Sequence, residues 1–284
     1  MKRHLLIGFI ILSFLTNGKT QDVFIDLGIK KQIIRGFGGV NMPGWINDLT
    51  QAQTDKAFGN GNDQLGFTIL RIRVPNDTLQ FYREVNTAKR ALSHGAIIIA
   101  SPWSPPAYMK TNNNIVGGKL DTAYYDDYAN HLLHFANYMA ANGAPLYGIS
   151  VQNEPDISVT YESCDWSADD MKNFIIKQGA NFETLKLIAA ESFNFNHAMT
   201  DPILNDPVAE LYVDIIGGHI YGSGLTDYPL AREKGKEVWM TEHLDTDTTY
   251  AKILNTGKEI HDCMVANFNA YLWWYIRRFY GPIN

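Results

Sequence analysis

Short apolar runs of strand length recur eight times along the 284-residue chain, seeded at Gly36, Ile69, Ala96, Ile149, Leu185, Val213, Val238 and Ala270. Helical patterns lie between them: Phe81 to Ser93, Tyr124 to Ala141, a stretch from Ser167 to Asn181, a short one from Pro202, and Ala251 to Val265. The third of these opens with Ser167 and Asp170 at capping-box spacing, and the second closes on Asn142-Gly143. Strands and helices that alternate through one chain have few packed solutions, and eight such units predict an α/β fold, a (β/α)8 TIM barrel over residues 36–284. The glycines of Gly36-Phe37-Gly38-Gly39 lack dinucleotide-loop spacing and read as close-packing positions. The chain stops at Asn284, just past the eighth strand seed. The barrel is therefore expected to lack its last helix and to expose one apolar flank, as a chain cut short at its C-terminus would.

Two of the strand seeds end in a carboxylate. Ile149-Ser150-Val151 runs into Gln152-Asn153-Glu154-Pro155, where the proline cannot continue a sheet, and Val238-Trp239-Met240-Thr241 runs into Glu242. Functional side chains of such barrels sit at the carboxyl ends of strands. A single glutamate there more often caps a strand or pairs with arginine. Two in matched contexts are what a glycosidase uses, one as proton donor and one as nucleophile. Arg71 and Arg73, two residues apart on one strand and so facing one side, are alternative partners that would keep Glu242 ionised.

Bulk properties exclude several other classes. The formal charge is −6 and no basic run is present, which argues against nucleic acid or an anionic membrane as partner. Six Trp and fifteen Tyr lean mildly toward a ligand with stackable faces, such as a sugar. Residues 1–20 read as a signal peptide: Lys2, Arg3 and His4, an apolar run from Leu5 to Leu15, then polar residues to Gln21. The run is too short for a permanent span, so the expected location is secreted, extracellular or periplasmic, with no membrane attachment after cleavage. The two cysteines, Cys164 and Cys263, fall on elements that should not meet, so no disulfide is expected. Neither Cys nor His clusters at ligand spacing, so no metal and no cofactor are implied.

Five segments carry a family resemblance: Gly36 to Gly39, Ser150 to Asp156, Tyr161-Glu162-Ser163-Cys164-Asp165-Trp166, Trp239 to Glu242, and Ala270 to Arg278 with its Trp273-Trp274-Tyr275-Ile276-Arg277-Arg278. Together and in this order they closely resemble glycoside hydrolase family 30, most of all its bacterial glucuronoxylan endo-xylanases. The resemblance implies a (β/α)8 barrel fused to a side β-sandwich. Residues 21–35, which alternate apolar and polar, would then be the orphan N-terminal strand of a sandwich this chain lacks. It also implies a retaining mechanism with Glu154 as acid/base and Glu242 as nucleophile, and it places the pairing arginine at Arg71.

The expected activity is that of a monomeric, retaining endo-β-1,4-xylanase acting on xylan or glucuronoxylan. The alternatives are another family 30 β-glycosidase (β-1,6-glucanase or β-glucosidase) and a truncated, inactive xylan-binding remnant. Glu154 must carry the proton it donates, and Asn153 is expected to donate to the sugar 2-hydroxyl, unless it is a buried structural amide. Tyr221 is expected to hydrogen-bond the nucleophile and His219 to line the same wall. Trp103 and Trp274 are candidates equally for sugar walls and for core. Arg278, helped by Trp274 and Tyr275, is the position at which the resemblance implies capture of a glucuronic acid carboxylate. Where the family has a tyrosine and a serine after the nucleophile, this chain has Leu244, Asp245 and Asp247. Two carboxylates there are expected to repel the branch and weaken dependence on it.

Overall fold

The computed structural model describes residues 23–222 and 224–283, so the signal-peptide reading of residues 1–20 lies outside the described residues. The chain divides into a unit ending at Lys31 and a second, Gln32–Asn284. In the first, residues 23–31 are exposed and make a turn in which Ile29 N–H reaches Asp26 O at 3.3 Å. The strand expected within residues 21–35 is not formed from residue 23 onward. A strand is held by a ladder of hydrogen bonds to a neighbour, and among the described residues no strand is paired with residues 23–35.

The second unit is a closed parallel barrel whose eight strands follow sequence order. They are β1 (Gly36–Val40), β2 (Ile69–Val74), β3 (Ile97–Pro102), β4 (Gly148–Ser150), β5 (Lys186–Ser192), β6 (Ile215–His219), β7 (Glu237–His243) and β8 (Ala270–Tyr275). The helices are α1 (Gln51–Phe58), α2 (Val85–Ser93), α3 (Tyr125–Ala141), α4 (Ala168–Gln178), α5 (His197–Leu204), α6 (Ala209–Tyr212), α7 (Pro229–Glu233) and α8 (Tyr250–Val265). Among the described residues no helix follows β8, and none is long and apolar enough to cross a membrane. An apolar cavity of about 620 Å³ lies on that flank, with Phe37, Phe67, Ile253, Ile260 and Trp273 in its wall.

Several element ends differ from expectation for local reasons. The Asp77 side chain accepts from Leu79 N–H and starts a tight 3-10 turn at Thr78, so the regular helix begins only at Val85. α4 gives way to a 3-10 turn at Gly179, where a Cβ would fall 2.5 Å from the Tyr212 ring. α5 starts before Pro202 because Asn196 caps it. α1 was not expected, although Thr50 and Gln53 form a complete capping box at its start.

Two layers fill the barrel. At the amino end Ile69, Ile99, Ile188, Ile215, Trp239, Ala270 and Leu272 form an apolar plug, with Tyr147 stacked on Trp239 at 9° between ring planes. Two residues further along a strand the side chain again points inward. That step converts Ile69 to Arg71, Ile99 to Ser101 and Trp239 to Thr241, so the barrel turns polar toward its carboxyl end. Strand pairing there is irregular: register shifts occur at Gly39/Val40, Ala190/Ser192, Gly218/His219 and Met240/His243. Such breaks re-aim the side chains that follow them.

Closure depends on backbone proximity at β1. A Cβ on Gly38 would lie 1.8 Å from the carbonyl oxygen of Ile69. Gly38→Ala must therefore push β1 from β2, and overpacking of this kind costs about 1–3 kcal/mol or more. Denaturant unfolding of the variant should show that loss, and an unchanged midpoint would mean that β1 can move freely.

Candidate active site

Arg71 stands at the centre of the polar layer, fully buried. Its Nη1 donates to Glu242 Oε2 at 2.7 Å, its Nη2 to Asn153 Oδ1 at 2.6 Å, and its Nε to Ser101 Oγ at 3.0 Å. Nη2 also lies 3.1 Å from Glu191 Oε1. The Trp103 ring lies 4.9 Å from the guanidinium carbon. Arg73 turns elsewhere and pairs with Glu162 at 2.9 Å. Of the two candidate arginines, then, Arg71 is the one that reaches Glu242.

Glu154 and Glu242 face each other across His219. The imidazole Nδ1 is 2.8 Å from Glu154 Oε1 and its Nε2 is 3.9 Å from Glu242 Oε2. One ligand atom from each of these three residues lies within 4.8 Å of the others. Tyr221 donates to Glu242 Oε1 at 2.8 Å, and Tyr161 donates to Glu154 Oε2 at 3.3 Å. β4 itself ends at Ser150, so Glu154 stands beyond the strand, in the left-handed region at φ +45°. Its backbone N–H is held by Glu191 O at 3.0 Å, and Glu191 is also left-handed at φ +51°. Two non-glycine residues in that region are the kind of strain found at functional positions. The surrounding chain is pinned: Gln152 donates to Trp103 O, Asn153 N–H to Pro102 O, and Tyr128 to Val151 O.

The electrostatics follow from burial set against this network. Burial raises the Glu242 carboxyl above its ordinary value; His219 and Arg71 oppose that rise while Glu154 adds to it. Burial also opposes charge on Glu191, but Arg71 and His219 outweigh it and hold Glu191 below the ordinary range. For His219, burial works against the imidazolium, yet the carboxylates of Glu242 and Glu154 raise its pKa. Burial and the Glu242 charge push the Tyr221 phenol far up, so it remains a donor. The spacing of Glu154, His219 and Glu242 would admit a cation. Two contacts oppose one: His219 Nδ1 is already bonded to Glu154, and the Arg71 charge sits beside Glu242.

The other expected residues divide into wall and core. Trp103, Trp274 and Tyr275 are buried with Val40 and Met42 in one cluster, so they mainly back the cleft. Trp45 and Tyr161, partly exposed, carry the aromatic surface outward, with Trp45 5.9 Å from Trp103 and 5.7 Å from Tyr161. Arg278 lies 5.5 Å from the Tyr275 ring and lines a cavity of about 450 Å³ with Arg83, Arg277 and Trp45. Asp245 and Asp247 do not line it. They border the separate apolar cavity, Asp245 is paired with Lys252 at 3.1 Å, and the Asp247 side chain accepts from Thr249 N–H at 2.9 Å. The two carboxylates are thus held by Lys252 and by the Thr249 N–H just before α8, and neither borders the arginine cavity. Cys164 and Cys263 are free, buried thiols.

Three residues at the site were not singled out from sequence. Glu191 ends a strand as Glu242 does, a signal present but unused. Tyr161 and Trp45 reach the site through loop paths that no periodicity encodes.

Comparison with known proteins matches this geometry to a family. Residues 57–238 match the model described as the glycosyl hydrolase family 30 TIM-barrel domain. The chain is 44% identical to glucuronoxylanase XynC of Bacillus subtilis strain 168, over 98% of this chain and 70% of that protein. A solved family 30 subfamily 8 xylanase, Xyn30A of Clostridium acetobutylicum, superposes with a TM-score of 0.85 at 43% identity, covering 91% of this chain and 68% of that one. A family 30 endoxylanase of Clostridium papyrosolvens C71 gives 0.82 at 37% identity, covering 90% and 69%. The chain thus spans about two thirds of the length of these relatives. With a closed eight-stranded barrel, facing glutamates at its carboxyl end and a family model matching residues 57–238, the chain belongs to glycosyl hydrolase family 30.

Proposed function

We propose that the protein is a retaining endo-β-1,4-xylanase acting on glucuronoxylan outside the cytoplasm, as a monomer and without cofactor. The observation that carries this reading is the approach of Glu154 and Glu242 oxygens within 4.8 Å at the barrel mouth. Retaining glycosidases hold their carboxyl groups about 5–5.5 Å apart, whereas inverting ones leave about 6.5–9.5 Å for a water. Glu242 attacks the anomeric carbon while Glu154 gives its proton to the departing glycosidic oxygen. Glu154 then takes a proton from the water that releases the glycosyl-enzyme. Arg71 and Tyr221 each bond one oxygen of Glu242 and fix the angle of attack. Asn153 commits its carbonyl oxygen to Arg71, which leaves its amide nitrogen as donor to the sugar 2-hydroxyl. Arg83, Arg277 and Arg278 supply guanidinium groups suited to the carboxylate of a glucuronic acid branch, and no carboxylate shares their cavity among the described residues.

The following outcomes are expected. Glu242→Gln should abolish hydrolysis of glucuronoxylan, and Glu154→Gln should lower kcat about 10²–10⁴-fold, the ordinary worth of general acid–base catalysis. Proton NMR of the first product released by the wild-type enzyme should show the β-anomer, and an initial α-anomer would rule out double displacement. Because burial raises Glu242, and the nucleophile must be ionised, activity should fall on acidification at a pH above that of an ordinary glutamate. A kcat/KM profile with its acid limb at or below the ordinary value would contradict that assignment. Arg278→Ala should cost about ten- to a hundredfold in kcat/KM on glucuronoxylan, one charge-assisted hydrogen bond, with a smaller effect on unbranched xylan. Equal losses on both polymers would remove Arg278 from branch recognition, and a panel including β-1,6-glucan and aryl β-glucosides would expose a different family 30 activity.

A further inference from the structure

β2 reaches both Glu242 and Glu154, one directly and the other through a loop. Arg71 bonds Glu242, while Arg73, two residues on, donates from its Nη2 to Glu162 Oε1 at 2.9 Å. Glu162 adjoins Tyr161, whose hydroxyl donates to Glu154 Oε2 at 3.3 Å. The Arg73–Glu162 pair is largely withdrawn from solvent, with side chains 10% and 15% exposed. Among the described residues Arg73 has no other ion-pair partner.

We propose that Arg73 and Glu162 are positioning residues for Glu154: their ion pair anchors the loop from which the Tyr161 hydroxyl holds the Glu154 carboxyl in the plane for protonating the leaving oxygen. The inference rests on the reading of Glu154 as acid/base given above. Residues 155–167 form neither helix nor strand, so no backbone ladder fixes Tyr161. Its ring is 42% exposed and is packed edge-on against Trp45. The two residues that follow it are pinned instead. Glu162 is held by Arg73, and Ser163 O accepts from Nζ of the buried Lys110 at 2.5 Å, a group that also donates to Ser104 Oγ at 3.1 Å.

The charges around the pair favour it. Burial works against ionised Glu162, and Arg73 is foremost among the groups that oppose this. Glu84, another carboxyl beside Arg73, is buried with neither oxygen bonded to a partner. Burial raises it well above the ordinary carboxylate range, Asp48 adds to the rise, and Arg73 only partly offsets it. Glu84 is thus held toward its neutral form and leaves the guanidinium to Glu162. At the far end of the relay Glu154 is gripped at both oxygens, by Tyr161 on Oε2 and by His219 Nδ1 on Oε1 at 2.8 Å. Two such bonds fix the carboxyl plane, whereas one alone lets it turn. A general acid works only within hydrogen-bond reach of the atom it protonates, so a turned carboxyl loses proton transfer while the substrate still binds.

The test uses the full chain and two aryl β-glycosides of glucuronic acid-branched xylobiose that differ in leaving group. Phenol needs a proton to depart, and 2,4-dinitrophenolate leaves without one. Tyr161→Phe and Glu162→Gln should each lower kcat/KM on the phenyl glycoside about tenfold more than on the dinitrophenyl one, the worth of one hydrogen bond. Glu162→Gln keeps the size of the side chain and one acceptor oxygen, whereas Arg73→Ala would strand a buried carboxylate. Thermal melting checks the fold, and Arg73→Lys, which keeps the charge but loses the guanidinium fork, should show the same selectivity as a second route. Because Glu162 acts through Tyr161, the double variant should be no more selective than Tyr161→Phe alone. Equal losses on the two glycosides, no loss on either, or selectivities that multiply in the double variant would overturn the relay. A Glu154→Gln control that shows no such selectivity would instead bring down the acid/base reading, and the relay with it.

Discussion

The carboxyl end of the barrel is organised around one buried positive charge. The Arg71 guanidinium is desolvated on all sides, a state that would be prohibitive without compensation. Glu242, Glu191, Asn153 and Ser101 surround it, from β7, β5, the loop after β4, and β3. Each partner is tied to the arginine, and through it to the others. Removing Asn153 or Ser101 would leave a buried guanidinium N–H unpaired, and removing Glu242 or Glu191 would upset the charge balance around it. The Glu154–Glu242 pair thus inherits its geometry from an electrostatic knot that is built into the strands.

The knot also explains why three carboxylates can share so small a volume. Arg71 and His219 lie among Glu154, Glu191 and Glu242, and the shifts of Glu191 and Glu242 diverge. Glu191, beside Arg71, is pushed toward charge, while Glu242 is raised by burial that its partners only partly offset. Chemically similar groups become different in function through their neighbours, which is the usual route by which a site separates its roles.

Much of this was legible in the chain. Eight apolar runs were sufficient for the barrel because strand–helix alternation leaves so few topologies. Glu154 and Glu242 could be named because matched contexts at strand ends are rare. The rest escaped for identifiable reasons. β4 is three residues long, so Glu154 is aimed by a loop and a left-handed backbone rather than by strand alternation. Trp45 and Tyr161 meet each other from distant loops. Asp245 and Asp247 are expected near a uronate because they stand where the resembled family has a tyrosine and a serine, but Lys252 and the Thr249 N–H claim them. Local spacing reports what a side chain is, and packing decides where it goes.

The plug at the amino end has a further bearing on turnover. With Trp239 flat against Tyr147 beneath the polar layer, the shaft is stoppered from below. Among the described residues, then, the open approach to the polar layer is the upper rim. In the proposed chemistry the water that finishes a cycle must come in through the doorway the first product has just vacated. Departure of one half of the polymer thereby sets the earliest moment at which the other half can be freed.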